Sequence, residues 1–396
     1  MKRIGFVTPW FGEGIPGGAE MELRGLTTHL HEAGVDLEIL TTCVKDFNSD
    51  WNVDYYKIGI DSVYNIPVRR FRVRKRNVLA FDAVNYKLMN NQSITTEEED
   101  IYCQEMVNSP DLYEYMETYK DEYSLFVFIP YMFGTTYYGC QIAPEKSVLI
   151  PCLHDESYAY MRCFNNVFSQ IAGMIFHARS EAELAKQIYD HANVDYIVLG
   201  EGVYTDIQAD STRFIKKYNI HSPYIIYAGR KDKGKRVDVL LKYFAEYKKR
   251  NSGDLKLILI GGGEIEIPVS AKKDIIDLGF VELQDKYDAC AGAELLCQPS
   301  QFESFSLVIM ESWLCGRPVL VNAKCDVTKS FAIDTNGGLY FQDYFEFEGA
   351  VNYLIHHPEQ AKQMGQNGRR YVLDHFSWDV IVKNYMDFLR KIANEE

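Results

Sequence analysis

"YIIYAGRKDKGKRVDVLLKYFAEYKKRNSGDLKLILIGGG", residues 224–263, decides the fold. It opens on an apolar, β-rich run, 224–230, and passes through a short polar loop. Val237, Leu240, Leu241 and Phe244 then recur at helical spacing, and a second apolar run, 255–263, ends in three glycines. Strand, amphipathic helix and strand in that order specify two parallel strands joined by a helical crossover. The N-terminal half repeats the pattern. Ile4–Thr8 leads into "TPWFGEGIPGGAEMEL" (8–23), a helix marked by Leu23, Leu26 and Leu30, and the run "VDLEILTT" (35–42). More apolar runs follow at 124–130, 146–154 and 173–179, then at 274–281, 293–300 and 316–323. The sequence is therefore read as α/β, with two Rossmann-like domains whose parallel sheets are covered by helices. The Gly-rich, polar stretch 197–214 marks the join. The expected domains are 1–203 and 204–375, with a closing amphipathic helix in 376–396 that carries Trp378, Ile381, Tyr385 and Phe388 on one stripe. Open sheets of this kind bind ligands beyond the carboxyl ends of their strands, so the expected site is a cleft that the two domains face.

Composition narrows the function. The chain has 396 residues and a formal net charge of −14, which argues against a dedicated nucleic-acid binder. Its nine cysteines include no C-x-x-C pair, so reduced thiols are expected, with neither a disulfide framework nor a zinc site. The start "MKRIGFVTPWF" does not read as a signal peptide, and no window is long and apolar enough for a membrane span. A cytoplasmic protein is expected. One basic stretch, "VRRFRVRKRN" (68–77), packs five Arg and a Lys into residues 69–76. It reads as an exposed basic strand. A contact with an acceptor or with anionic lipid at the inner face of a membrane stays open.

Gly12-x-Gly14-x-x-Gly17 matches the dinucleotide fingerprint, which keeps a nicotinamide-type dehydrogenase as the alternative function. Against it, Pro9–Phe11 separate the first glycine from the strand, and the next strand ends in Thr41–Thr42 where that fold wants an acid for the ribose. Gly17–Gly18, at the expected helix start, is the more useful pair.

The strongest chemical signal is "PSQFESFSLVIMESWLCGRPVL", residues 299–320. Glu303 is expected in a loop before a buried helix and Glu311 about two turns along it. Ser304 or Ser306 is expected to cap that helix, and the N–H groups of Phe305, Ser306 and Leu307 to form an anion site at its N-terminus. Carboxylates beside an anion site suit a ligand that carries both hydroxyls and phosphate.

This Glu-x7-Glu spacing resembles the retaining glycosyltransferases of the GT-B fold, family GT4. "PGGAE" (16–20), "GRKDKGK" (229–235), "GGGE" (261–264), "GRPVL" (316–320), "NGGLY" (336–340) and the closing "FSW" helix fall in that family's order and extend the resemblance over nearly the whole chain. The resemblance implies that Arg230 and Lys235 hold the donor diphosphate, Glu303 the hydroxyls of the donor sugar and Glu311 the ribose. Gly17 and Gly18 would admit the diphosphate, and backbone near Gly262 and Phe280–Val281 the base. His154 is read as ending a strand. It resembles the family's active-site His, and Asp155 and Glu156 beside it would meet acceptor hydroxyls, tune His154 or cap a helix. The final helix would cross back to the first domain.

The implied activity is transfer of a sugar, with retention, from a nucleotide-sugar, a UDP- or GDP-sugar first, to a hydroxyl on a glycan, a lipid-linked molecule or a protein. No further cofactor is expected. The sequence has no Asp-x-Asp pair for a divalent ion, so a metal-independent reaction is expected, with Arg230 and Lys235 acting as the cations. The sequence departs from the family where Ser306 and Arg236 occupy positions that usually hold Gly, where Tyr204 stands in place of a frequent Asp, and where 322–330 lacks a common Glu.

Overall fold

The computed structural model describes residues 2–15, 17–190 and 194–394. The chain forms two compact units. One holds Met1–Gly202 with Ile381–Glu396, and the other holds Val203–Val380.

The first unit is built on an eight-stranded sheet: β1 (Arg3–Thr8), β2 (Leu37–Thr42), β3 (Gly59–Val63), β4 (Ile66–Phe71), β5 (Tyr123–Phe128), β6 (Ser147–Leu149), β7 (Gly173–Phe176) and β8 (Asp195–Val198). Their order is β3-β4-β2-β1-β5-β6-β7-β8. All neighbours are parallel except β3 and β4. That pair is a hairpin closed by Tyr64 and Asn65, both at positive φ, the geometry of the tight turns that join antiparallel strands. β1, β2 and β5 are almost wholly buried, which explains why they read as continuous apolar runs. The order reverses between β1 and β5, so loops leaving the carboxyl ends of these two strands flank the ligand position of an open α/β sheet. Helix Trp378–Ile392 begins in the second unit, and from Ile381 on it belongs to the first, where Phe388 and Ile392 pack against Gly173.

The second unit has an all-parallel sheet of six strands: β9 (Tyr224–Ala228), β10 (Lys256–Ile260), β11 (Ile275–Asp277), β12 (Leu295–Gln298), β13 (Val319–Asn322) and β14 (Gly338–Phe341), in the order β11-β10-β9-β12-β13-β14. Its reversal lies between β9 and β12. Trp313 is fully buried on one side of this sheet. Its Nε1 donates to the Gly337 carbonyl at 2.8 Å, and a Cβ on Gly337 or Gly368 would enter its ring.

The basic stretch is largely not a solvent-facing patch. Arg70 is 1% exposed, donates to the Phe11 carbonyl at 2.7 Å and lies over the Tyr56 ring. Arg69 pairs with Glu38 and Arg74 with Glu105, and Arg76 sits over Trp51 and Phe81. Arg72 and Lys75 remain exposed. Most of the stretch braces the sheet edge instead of presenting charge to an outside anion. Among the described residues no helix is long and apolar enough to cross a membrane.

Candidate functional site

In the second unit the functional loops leave β9, β10 and β12 beside the reversal of strand order. After β9, Gly229 adopts φ +150°, its N–H donates to the Ile260 carbonyl at 2.9 Å, and Lys231 N–H donates to the Gly262 carbonyl at 2.8 Å. Gly261 N–H donates to the Gly279 carbonyl at 2.7 Å. A Cβ on Gly261 would stand 2.0 Å from the Gly229 oxygen. Three loops are thus laced edge to edge by backbone, and only glycine allows so close an approach. Gly262 keeps an open backbone face whose nearest neighbour is the exposed Phe280 ring. Val281 beside it is half-buried.

Arg230 extends into solvent, 3.5 Å from the Asp232 carboxylate. The other oxygen of Asp232 accepts from Lys235 N–H at 2.8 Å, which shapes the turn that presents both cations. Lys235 Nζ donates to Glu303 Oε1 at 2.7 Å, so residues beyond β9 and β12 meet. Lys231, by contrast, is buried and spent on Asp277 at 2.5 Å. Glu311 is nearly buried. Lys286 Nζ donates to its Oε1 at 2.5 Å, and its Oε2 has no partner. That oxygen can accept a hydroxyl. Asp232, Lys231 and Lys286 were not marked in the sequence as site residues. Lys231 and Lys286 owe their roles to distant partners that no local pattern reveals, whereas Asp232 is set by its neighbours Arg230 and Lys235.

Three expectations about this segment are corrected. The helix is Leu307–Leu314, so Glu311 lies little more than one turn along it. Neither Ser304 nor Ser306 caps it. Ser306 adopts φ +80°, which turns its hydroxyl toward Gln298 Nε2, 3.5 Å away. The unbonded N–H groups belong to the first helical turn, beginning at Leu307 and Val308, and Phe305 is instead a core residue set edge-on to Phe331 and Phe376.

In the first unit, helix Gly18–Glu32 starts without a side-chain cap. A Cβ on Gly17 would strike the Glu20 carboxylate, whereas one on Gly18 would meet nothing within 4 Å. The Glu20 carboxylate thus folds back over the helix start at Gly17 and leaves only the Gly18 side clear. Pro16 of the same loop lies outside the described residues. The dinucleotide match dissolves into packing. A Cβ on Gly12 would stand 2.2 Å from the Tyr56 hydroxyl, and Gly14 N–H donates to the Tyr64 hydroxyl at 3.0 Å. Glu38, the acid in β2, is consumed by Tyr123, Arg3 and Arg69.

His154 does not end a strand. β6 stops at Leu149, and His154 follows an irregular segment in which Cys152 has φ +52°. Its Nδ1 lies 3.6 Å from Glu156 Oε1, which also accepts from the Tyr131 hydroxyl at 3.3 Å. Asp155 accepts from the Tyr160 hydroxyl at 2.7 Å, and Glu156 makes no side-chain cap to the short helix Ser157–Tyr160.

Behind this loop lies a buried polar network that the sequence hid inside apolar runs. His177 Nε2 is 2.6 Å from Glu22 Oε1. Glu181 accepts from the N–H groups of Leu153 and His177, both at 2.6 Å. Burial would push the imidazole pKa down, but Glu22, and after it Glu181, outweigh burial and hold it up at about 10. Glu22, Cys152 and His177 bring potential metal-ligand atoms within 4.8 Å of one another. Through these hydrogen bonds the group ties helix Gly18–Glu32, the His154 loop and helix Arg179–Ile188 together.

Residues 209–371, inside the second unit, match the family model of glycosyl transferases group 1. That segment is similar to a group 1 glycosyltransferase domain. The D-inositol 3-phosphate glycosyltransferase of Rhodococcus erythropolis is 26% identical over 244 residues, which cover 56% of this chain and 54% of that protein. The chain spans about half the length of the curated relatives it matches. Over 99% of both chains the fold is similar to a sucrose-phosphate synthase from Thermosynechococcus elongatus, with a TM-score of 0.73 and 17% identity. It is also similar to HepE of Anabaena in complex with UDP-glucose, with a TM-score of 0.69 and 15% identity over 99% of this chain and 100% of that one. The fold is GT-B, built from two Rossmann-like α/β units. Within the matched segment, the two positions where the resemblance led glycine to be expected are both left-handed: Arg236 at φ +56° and Ser306 at φ +80°. The backbone shape is kept at a cost of about 1–2 kcal/mol per residue. Arg236 offsets part of this by donating to Gln301 Oε1 at 3.1 Å.

Proposed function

We propose that this chain transfers a hexose from a nucleoside-diphosphate donor to a hydroxyl acceptor, with retention and without a metal ion. The observation that carries the reading is the 2.7 Å pair of Lys235 and Glu303 at the reversal of the second sheet, with Arg230 extended beside it. A phosphate-seeking ammonium and a hydroxyl-seeking carboxylate stand side by side, as a phosphate-linked sugar requires. UDP-sugars are the first donors to test, because the HepE structures hold UDP or UDP-glucose.

In this reading Arg230, Lys235 and the first turn of Leu307–Leu314 bind the diphosphate and stabilise the charge that grows on it as the C1–oxygen bond breaks. Glu303 fixes the sugar ring through its hydroxyls, and Glu311, held by Lys286, takes the ribose with its second oxygen. The acceptor oxygen bonds to C1 on the face the diphosphate leaves, and its proton passes to the departing phosphate oxygen. His154 orients the sugar hydroxyls. No side chain need be a strong base.

The test is a thermal-shift and hydrolysis screen over UDP-, GDP-, ADP- and TDP-sugars, with the anomeric configuration of the product read by NMR. Lys235→Ala is expected to lower donor turnover about 10²–10³-fold, the range for removing one preorganised electrostatic contact. No response to any nucleotide-sugar, or full turnover in both Lys235→Ala and Glu303→Ala, would overturn the proposal.

A further inference from the structure

The first unit contains a cavity of about 490 Å³ between the end of helix Val78–Met89 and the segment that follows His154. Its size falls in the range of small-molecule sites. The lining is about half polar and half apolar, with Leu88, Ile94 and Met161 on the apolar side. Asn91 and Gln92 contribute side-chain amides, Asp155 and Glu156 carboxylates, and Tyr160 a ring that is 56% exposed. Asp155 and Glu156 each accept one tyrosine hydroxyl, and their second oxygens take no hydrogen bond among the described residues. Glu99, at the wall, is already saturated by the N–H groups of Arg162 and Cys163. Arg162 is the only cation in the lining, against three carboxylates.

Resting on the glycosyl-transfer reading, we propose that this cavity is the acceptor subsite and that it selects an uncharged sugar over a phosphorylated one. Hydroxyls donate to the open carboxylate oxygens and accept from the amides, so a vicinal diol satisfies both at once. The Tyr160 face offers an apolar surface with a polar tip, a match for a sugar ring. Glu156 ties the cavity to His154 at 3.6 Å, so a sugar held there lies beside the residue assigned to the reacting sugar. A phosphate would meet three carboxylates against one exposed arginine, a net excess of two negative charges. Like charges in a partly desolvated site repel far more than in bulk water.

Saturation-transfer NMR and calorimetry on the full chain, with maltose and lactose against phosphate monoesters of the same sugars, read this without any donor. Neutral sugars are expected to bind at least tenfold more tightly. Tyr160→Ala, at an exposed position, is expected to weaken that binding about tenfold with an unchanged melting midpoint. Asp155→Asn combined with Glu156→Gln is expected to shrink the discrimination against phosphate. Tighter binding of the phosphorylated sugars, or the same neutral-sugar affinity in Tyr160→Ala, overturns the inference. So does the absence of any sugar binding. Donor turnover by the wild-type chain is scored separately. If turnover occurs but phosphorylated acceptors are preferred, this inference fails alone. If neutral sugars bind but no nucleotide-sugar is turned over, the glycosyl-transfer reading fails instead.

Discussion

The buried His177 is a sharp test of how the first unit holds together. Replacing it by Gln keeps a hydrogen-bond donor of similar reach but removes the positive charge that faces Glu22, Glu181 and Glu201. In the unfolded chain an imidazole titrates near its model value of 6.5, and in the native chain near 10. At pH 7 the native ring is charged and the unfolded one mostly neutral, a difference of about 4 kcal/mol. Breaking a buried pair by removing one partner gives a similar figure, about 3–5 kcal/mol. The loss is limited because Glu181, its pKa already raised by burial, can take up a proton once the imidazolium is gone. Because the native pKa is raised, the stabilisation is complete below pH 6.5 and disappears as pH climbs through about 10. Hydrogen exchange followed by mass spectrometry reads the first unit by itself, in peptides covering β6, β7 and helix Gly18–Glu32. His177→Gln is expected to lower their protection about 10³-fold at pH 7. The gap between variant and wild type should narrow toward pH 10. A gap under about 1 kcal/mol, or one constant from pH 7 to pH 10, would show that His177 is neutral in the native protein.

Other substitutions probe the second unit. Ser306→Gly relieves a left-handed serine and should stabilise that unit by about 1 kcal/mol, seen as a raised melting midpoint. An unchanged or lowered midpoint would mean that the serine hydroxyl compensates for the strain. Gly261→Ala drives a Cβ into the Gly229 carbonyl and should cost about 3 kcal/mol, together with the thermal response to donor. A variant as stable as wild type would show that the loops are free to separate. Chelation with excess EDTA should leave donor turnover unchanged, and a loss restored by added divalent ion would refute the role given to Arg230 and Lys235.

Much of the fold could be read from the sequence because its strands are buried on both faces and so appear as unbroken apolar runs between glycine loops. The antiparallel β3 was less legible, since four of its five residues are exposed. Glu303, Lys235 and Arg230 stand out through short-range spacing, and the structure puts the first two in contact. The supporting residues have no such signal. Lys286 reaches Glu311 across 25 positions, Lys231 reaches Asp277 across 46, and His177 reaches Glu22 across 155. The basic stretch misled for the same reason, because Glu38 and Glu105, which absorb Arg69 and Arg74, are each 31 residues away. At Ser306 residue type pointed to a cap, but the backbone dihedral carried the hydroxyl elsewhere.

The interlocked glycines after β9, β10 and β11 make the floor of the proposed donor site a stiff plate with no side chain to exchange. A change of nucleotide preference therefore cannot be engineered from that floor without breaking it. It has to come from the rim, where Phe280 is exposed and can be varied at little cost to the fold. Libraries restricted to Phe280 and Val281 should yield folded proteins with altered base choice, while libraries on the glycines should mostly yield aggregates.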